Sequence, residues 1–142
     1  MLLDIERLGG NAAVEPGMHR FERRQRPRPE GGTKPVDLAY LSRFTMGDSA
    51  LEREVLDLFL LHTPVYMASL RGASTAKAWH DAAHTLKGAA RGIGAWRLAR
   101  TAECAERLAF EFDADRRAFA LDSATEALDE ALGFIAVLCQ TA

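Results

Sequence analysis

From Val36 onward, the apolar residues of this chain recur every three or four positions, and no stretch alternates with the period of a β-strand. This pattern restricts the folded part to helices. The predicted helices cover residues 36–44, 49–71 and about 77–93, followed by one that ends near residue 113 and one that begins near residue 116. Successive long helices with short breaks favour an antiparallel four-helix bundle, with the first segment as a short extra helix.

The second predicted helix carries several local signals. Ser49 and Glu52 have the spacing of a capping box, with Asp48 as the alternative N-cap. Pro64 lies inside the helix, where it removes one backbone hydrogen bond and should cause a kink. His62 falls on the predicted apolar stripe, so we expect a packed structural histidine there.

Residues 1–34 differ from the rest of the chain. They are rich in glycine, proline and arginine and show no sustained apolar face. Such a segment cannot bury enough apolar surface to offset the entropy lost on ordering. We therefore expect a flexible, mostly disordered tail at 1–34 and a folded domain at 35–142. Contact of the tail's arginines with an anionic surface is the weaker alternative.

Composition and charge exclude several classes of protein. The formal net charge is -2, which gives no reason to expect nucleic acid as a partner. The N-terminus lacks the features of a secretory signal, and no stretch is long and apolar enough to span a membrane. Cys104 and Cys139 fall on apolar stripes, so we expect two buried thiols rather than a disulfide. We expect a cytoplasmic protein.

The third predicted helix holds the residues that point to chemistry. Its apolar set, which includes Trp79 and Leu86, forms one face, and His84 lies about 200° around the helix from Leu86. His84 therefore points outward, where a neutral imidazole is a usable nucleophile. The outward side also carries His80, Lys87, Gly88 and Arg91.

These residues also have simpler interpretations. His80 and His84, four positions apart, have a spacing that suits a metal, but no further ligand is evident and we expect no metal site. Lys87 and Arg91 are also what a solvated helix face carries. Gly88 costs helix stability, roughly 1 kcal/mol relative to alanine. Room for a partner or close helix packing would each account for it.

Taken together, the residues resemble a known signature. The run His84-Thr85-Leu86-Lys87-Gly88, followed after five residues by Gly94, is similar to the motif of the histidine phosphotransfer (HPt) family. Ala83 and the Ala89-Ala90 pair fit the same pattern. The resemblance covers about residues 36–140 and leaves the N-terminal segment outside.

The resemblance implies a four-helix bundle that carries a phosphoryl group in a two-component phosphorelay. It implies that His84 is the phosphoryl acceptor, that Lys87 stabilises the phosphoryl group, and that Gly88 leaves room for a docking partner, beside His80 and Arg91. Gly94 matches a glycine used for tight packing. The expected partners are receiver domains of response regulators and a hybrid sensor histidine kinase.

The same resemblance implies a phosphocarrier rather than an enzyme, without a cofactor of its own. The receiver domain would supply the phosphorylated aspartate, the magnesium ion and the catalytic groups. The sequence has no glycine-rich nucleotide loop of the P-loop form, so we expect no ATP site. We expect a monomer. The alternative is a helical binding module that regulates a signalling partner without being phosphorylated.

Overall fold

The computed structural model describes residues 34–108 and 114–141. These residues form five helices and, within the two described ranges, no strand. They are α1 (Leu38–Thr45), α2 (Ser49–Arg71), α3 (Ala76–Ile93), α4 (Trp96–Arg107) and α5 (Ala114–Thr141). The predicted all-helical bundle, four longer helices with a short one before them, is confirmed. The predicted tail at 1–34 lies outside the described residues except for Lys34, and its disorder stays a prediction.

The core of the bundle is built largely from alanine and leucine. α3 packs against α2 and α4, and α5 packs against α4 and α2. The predicted apolar face of α3 is confirmed, with Trp79, Leu86 and Ile93 buried. The indole Nε1–H of Trp79 donates to the carbonyl oxygen of Ala105 at 2.6 Å, which ties α3 to α4 deep inside the bundle.

α2 presents a different face to the core from the one predicted. Its buried residues are Leu56, Phe59, Thr63, Met67 and Leu70, whereas His62 is exposed. The prediction of a packed structural His62 was therefore wrong. The cause is that α2 is apolar on nearly every side, so the 3.6-residue period fits more than one face. Thr63 enters the core because its hydroxyl donates to the Phe59 carbonyl oxygen at 2.6 Å.

Other local predictions also need correction. Asp48, the alternative cap, is the N-cap of α2, and its carboxylate accepts from the backbone N–H groups of Ala50 and Leu51. Cys104 is exposed and Cys139 is partly buried, and both are free thiols, so the expected pair of buried thiols was wrong. α4 ends at Arg107, earlier than predicted, and residues 109–113 lie outside the described ranges.

Asp37 ties the start of the bundle to the turn between α3 and α4. Its side chain caps α1 through the backbone N–H of Tyr40, and it accepts from the indole N–H of Trp96 at 3.0 Å. The backbone N–H of Asp37 donates to the carbonyl oxygen of Gly94. Gly94 ends α3 in the left-handed conformation, with φ +78°. This junction fixes where α3 ends and α4 begins.

Candidate functional site

His84 lies in the middle of α3, opposite the buried face, and 65% of its side chain is exposed. The outward position that the sequence predicts is therefore the one observed. The helix is held at its start by Thr75, whose hydroxyl accepts from the backbone N–H of Ala78, and at its end by Gly94. His84 is thus presented on a helix that is capped at both ends.

Glu106 on α4 faces His84 and was not singled out from the sequence. Its side chain is only 14% exposed, and its two carboxylate oxygens have separate partners. Oε1 contacts the Lys87 ammonium at 2.6 Å, and Oε2 contacts Nδ1 of His84 at 2.9 Å. Because an ionised carboxylate can only accept, the hydrogen bond requires the proton of a neutral His84 ring to sit on Nδ1.

His80 joins the same cluster. Its Nε2 atom lies 3.3 Å from Oε2 of Glu106, and its ring stacks on that of His84 with centroids 6.1 Å apart. Two imidazoles and one ammonium group therefore converge on a single carboxylate. Lys87, which the sequence placed on a solvated face, is largely covered, with 16% of its side chain exposed.

Opposing influences act on the pKa of Glu106. Partial burial raises the pKa, but hydrogen bonds and charge interactions with Lys87 and His84 outweigh burial and hold it below the usual value. The Glu106 carboxylate is thus ionised at neutral pH and can form its ion pair with the Lys87 ammonium.

This lowered pKa predicts how the cluster responds to acid. A depressed carboxyl pKa contributes stability that is present above the ordinary glutamate value, about 4.3, and is lost as the pH falls through the lower folded-state pKa. We expect wild type to be more stable than Glu106→Gln at pH 7, with the difference shrinking below about pH 4. Urea unfolding at both pH values measures this. An equal difference at pH 3 and pH 7 would contradict the assigned cause.

The glycines of the motif differ in their surroundings. A Cβ built on Gly88 or Gly92 meets no atom of the described residues within 4 Å apart from its chain neighbours and the adjoining backbone of α3, so close packing against another helix does not explain either glycine. Gly88 lies one turn from His84 and is exposed, as is Arg91. A Cβ on Gly94 would lie 2.8 Å from Cβ of Asp37, so this glycine is required by a close contact.

Metal ligands do not gather at the site in the part of the chain that the structure describes. No group of three or more His, Cys, Asp or Glu side chains there could hold a metal ion. Asp81, next to His80, contacts the Lys77 ammonium at 2.8 Å and lies 3.6 Å from Nδ1 of His80. The expectation that the chain needs no metal or other cofactor stays a prediction. Among the described helices, none is long and apolar enough to cross a membrane.

Comparison with known proteins identifies the motif. The model of the Hpt domain family matches residues 54–134, which include α3 and α4 and most of α2 and α5. A crystal structure of the histidine phosphotransferase ShpA from Caulobacter crescentus is similar, with 38% sequence identity and a TM-score of 0.59. The alignment covers 75% of this chain and 92% of that one. No curated protein sequence matches at a significant level.

Proposed function

Because this chain belongs to the Hpt domain family and serves as a histidine phosphotransfer protein in a phosphorelay, we propose that His84 is the residue that carries the phosphoryl group. A phosphocarrier of this kind is not an enzyme acting on its own. The observation that carries the assignment is the held orientation of the His84 ring. Nδ1 is bound to Glu106, so the free lone pair of the neutral ring lies on Nε2, at the opposite edge of a mostly exposed imidazole.

The transfer step then follows from this geometry. The Nε2 lone pair attacks the phosphorus of an aspartyl phosphate on a receiver domain, and the N–P bond forms as the P–O bond to the aspartate breaks. The aspartate leaves as a carboxylate, and the Nδ1 proton stays beside Glu106. Magnesium bound to the receiver would neutralise charge on the phosphoryl oxygens. The reverse step returns the phosphoryl group to a receiver.

Neighbouring residues have separate roles in this proposal. The Lys87 ammonium stabilises the phosphoryl oxygens, a charge-assisted contact that suits an ammonium group. Gly88, with open space around it, leaves room for the receiver, and exposed Arg91 and half-exposed His80 border the docking surface. Gly94 acts only through the fold. Receiver domains and a hybrid sensor kinase are the proposed partners, and we propose that the protein acts as a cytoplasmic monomer.

The proposal is tested by phosphoryl uptake. The full chain is incubated with receiver domains phosphorylated by acetyl phosphate, and the transferred group is identified as an acid-labile histidine linkage at His84. Uptake at His84 is expected. Binding to receivers without any uptake at His84 would instead favour the non-phosphorylated binding module.

Substitutions at Lys87 and Gly88 should separate docking from chemistry. Gly88→Gln should keep the fold but block transfer, because the added side chain occupies the open space beside His84. Lys87→Ala removes charge without adding bulk, so receiver binding should largely survive while the transfer rate falls by about 10²-fold or more. Binding by calorimetry and transfer by rapid quench measure the two effects.

Gly88→Ala is the control for bulk. It should stabilise the helix by up to about 1 kcal/mol and interfere with docking less than glutamine does. Equal losses of receiver binding and transfer in Lys87→Ala would mean that Lys87 only supports docking.

A further inference from the structure

The carboxylate of Glu106 is hydrogen-bonded to the same side chains that would surround a phosphoryl group on His84, above all the Lys87 ammonium. Lys87 contacts its Oε1 atom at 2.6 Å, and both contacting atoms belong to side chains that are more than four-fifths covered. His84 and His80 share its Oε2 atom. Building on the proposed function, we propose that Glu106 is a positioning residue that holds Lys87 in the unphosphorylated state. Once His84 is phosphorylated, Glu106 competes with the phosphoryl group for Lys87. This competition favours transfer of the phosphoryl group from His84 to a receiver aspartate.

The competition follows from charge and position. Glu106 lies on the Nδ1 side of the ring and the phosphoryl group would lie on the Nε2 side, so two anions would flank one imidazole. Lys87 can approach the phosphoryl oxygens fully only by weakening its contact with Glu106. Like charges a few ångströms apart in a partly covered site repel each other appreciably. The phosphorylated state therefore loses part of an ion pair and gains a repulsion.

A second effect of Glu106 acts in the opposite direction. Its Oε2 atom accepts the Nδ1 proton of His84 and thereby favours a positively charged phosphorylated ring. Glutamine at position 106 also offers an oxygen that can accept this proton, so Glu106→Gln keeps part of the second effect while it removes the charge that holds Lys87. At pH 8 the competition for Lys87 remains, since ammonium and carboxylate both stay charged. Comparing Lys87→Ala in the wild-type and Glu106→Gln backgrounds therefore separates the competition for Lys87 from the second effect.

Glu106→Gln is the decisive variant, and Glu103→Gln is its matched control. Glutamine keeps the volume of Glu106 and a carbonyl oxygen that can accept from Nδ1, but it removes the charge that holds Lys87. Glu103 lies on the same helix, one turn earlier, and pairs with Arg107 at 3.3 Å. The two substitutions change the net charge equally, so a general charge effect would appear in both.

The measurement is the equilibrium between phosphohistidine and phosphoaspartate. Each full-length variant is mixed at pH 8 with an isolated receiver domain, phosphorylated by acetyl phosphate, that labels wild-type His84. We expect Glu106→Gln to raise the ratio of phosphohistidine to phosphoaspartate about tenfold. Glu103→Gln should stay within about twofold of wild type. Lys87→Ala should lower the ratio more in the Glu106→Gln background than in wild type, because Glu106 no longer competes for the ammonium.

A second readout needs no substitution. On phosphorylation of wild type by phosphoramidate, the ¹³C carboxyl signal of Glu106 should shift as Lys87 turns away, and that of Glu103 should not. An unchanged or lowered ratio of phosphohistidine to phosphoaspartate in Glu106→Gln, or an unchanged ¹³C signal of Glu106, would overturn the competition. The proposed function would still stand in that case, provided that His84 is phosphorylated. If wild-type His84 accepts no phosphoryl group from any receiver or from phosphoramidate, the proposed function fails and the competition with it.

Discussion

Replacing His84 by glutamine is expected to reduce phosphoryl uptake below detection and to leave the helical bundle intact. The substitution removes the proposed nucleophile, and an amide nitrogen has no available lone pair with which to attack phosphorus. Because 65% of the His84 side chain is exposed, the free energy of unfolding should change by no more than about 1 kcal/mol. Uptake is measured with phosphorylated receivers, and folding by circular dichroism and urea unfolding.

His80→Gln is the matched control for His84→Gln. His80 is also an imidazole in contact with Glu106, one turn away on the same helix, and its ring stacks on that of His84. We expect His80→Gln to retain uptake. Loss of uptake in His80→Gln together with retained uptake in His84→Gln would transfer the acceptor role to His80.

Gly94→Ala should destabilise the protein by about 2–5 kcal/mol. Alanine pays roughly 1–2 kcal/mol in the left-handed conformation. Its Cβ would also lie 2.8 Å from Cβ of Asp37 and 3.0 Å from the Asp37 carbonyl oxygen, and relieving that contact adds about 1–3 kcal/mol. For a domain of this size the midpoint of thermal unfolding should fall by roughly 10 °C or more.

Gly92→Ala, two residues earlier, provides the comparison. Gly92 lies inside α3, and a Cβ there meets no atom of the described residues within 4 Å apart from its chain neighbours and the adjoining backbone of α3. Alanine at this position should raise stability by up to about 1 kcal/mol. A similar loss in both variants would show that the close approach to Asp37 is not what requires glycine at position 94.

The fold was predictable where one helix face is clearly apolar. The buried residues of α3 recur at helical spacing on one side, and its charged residues lie away from them, so the outward direction of His84 follows from the sequence. α2 has no such contrast, and its buried face depends on which neighbours cover it. That choice is made by packing against α3 and α5, which the sequence of α2 does not contain.

The candidate site was predictable only on α3. Glu103 and Glu106 lie one turn apart on α4, and the sequence alone gives no reason to prefer one glutamate over the other. The antiparallel packing of α3 and α4 brings Glu106 to His84, whereas Glu103 pairs with Arg107 along its own helix. The relative register of two helices is a tertiary property, so no local pattern distinguishes these two glutamates.

The hydrogen bond from Trp79 to the Ala105 carbonyl oxygen has a consequence for how the site assembles. It joins α3 to α4 immediately before Glu106, and only 22 positions separate His84 from Glu106 along the chain. Contacts of such low sequence separation cost little loop-closure entropy and suit rapid, early formation during folding. The geometry of the site thus belongs to one helical hairpin. Substitutions in α1 or α5 would affect phosphotransfer mainly by changing how much of the chain is folded.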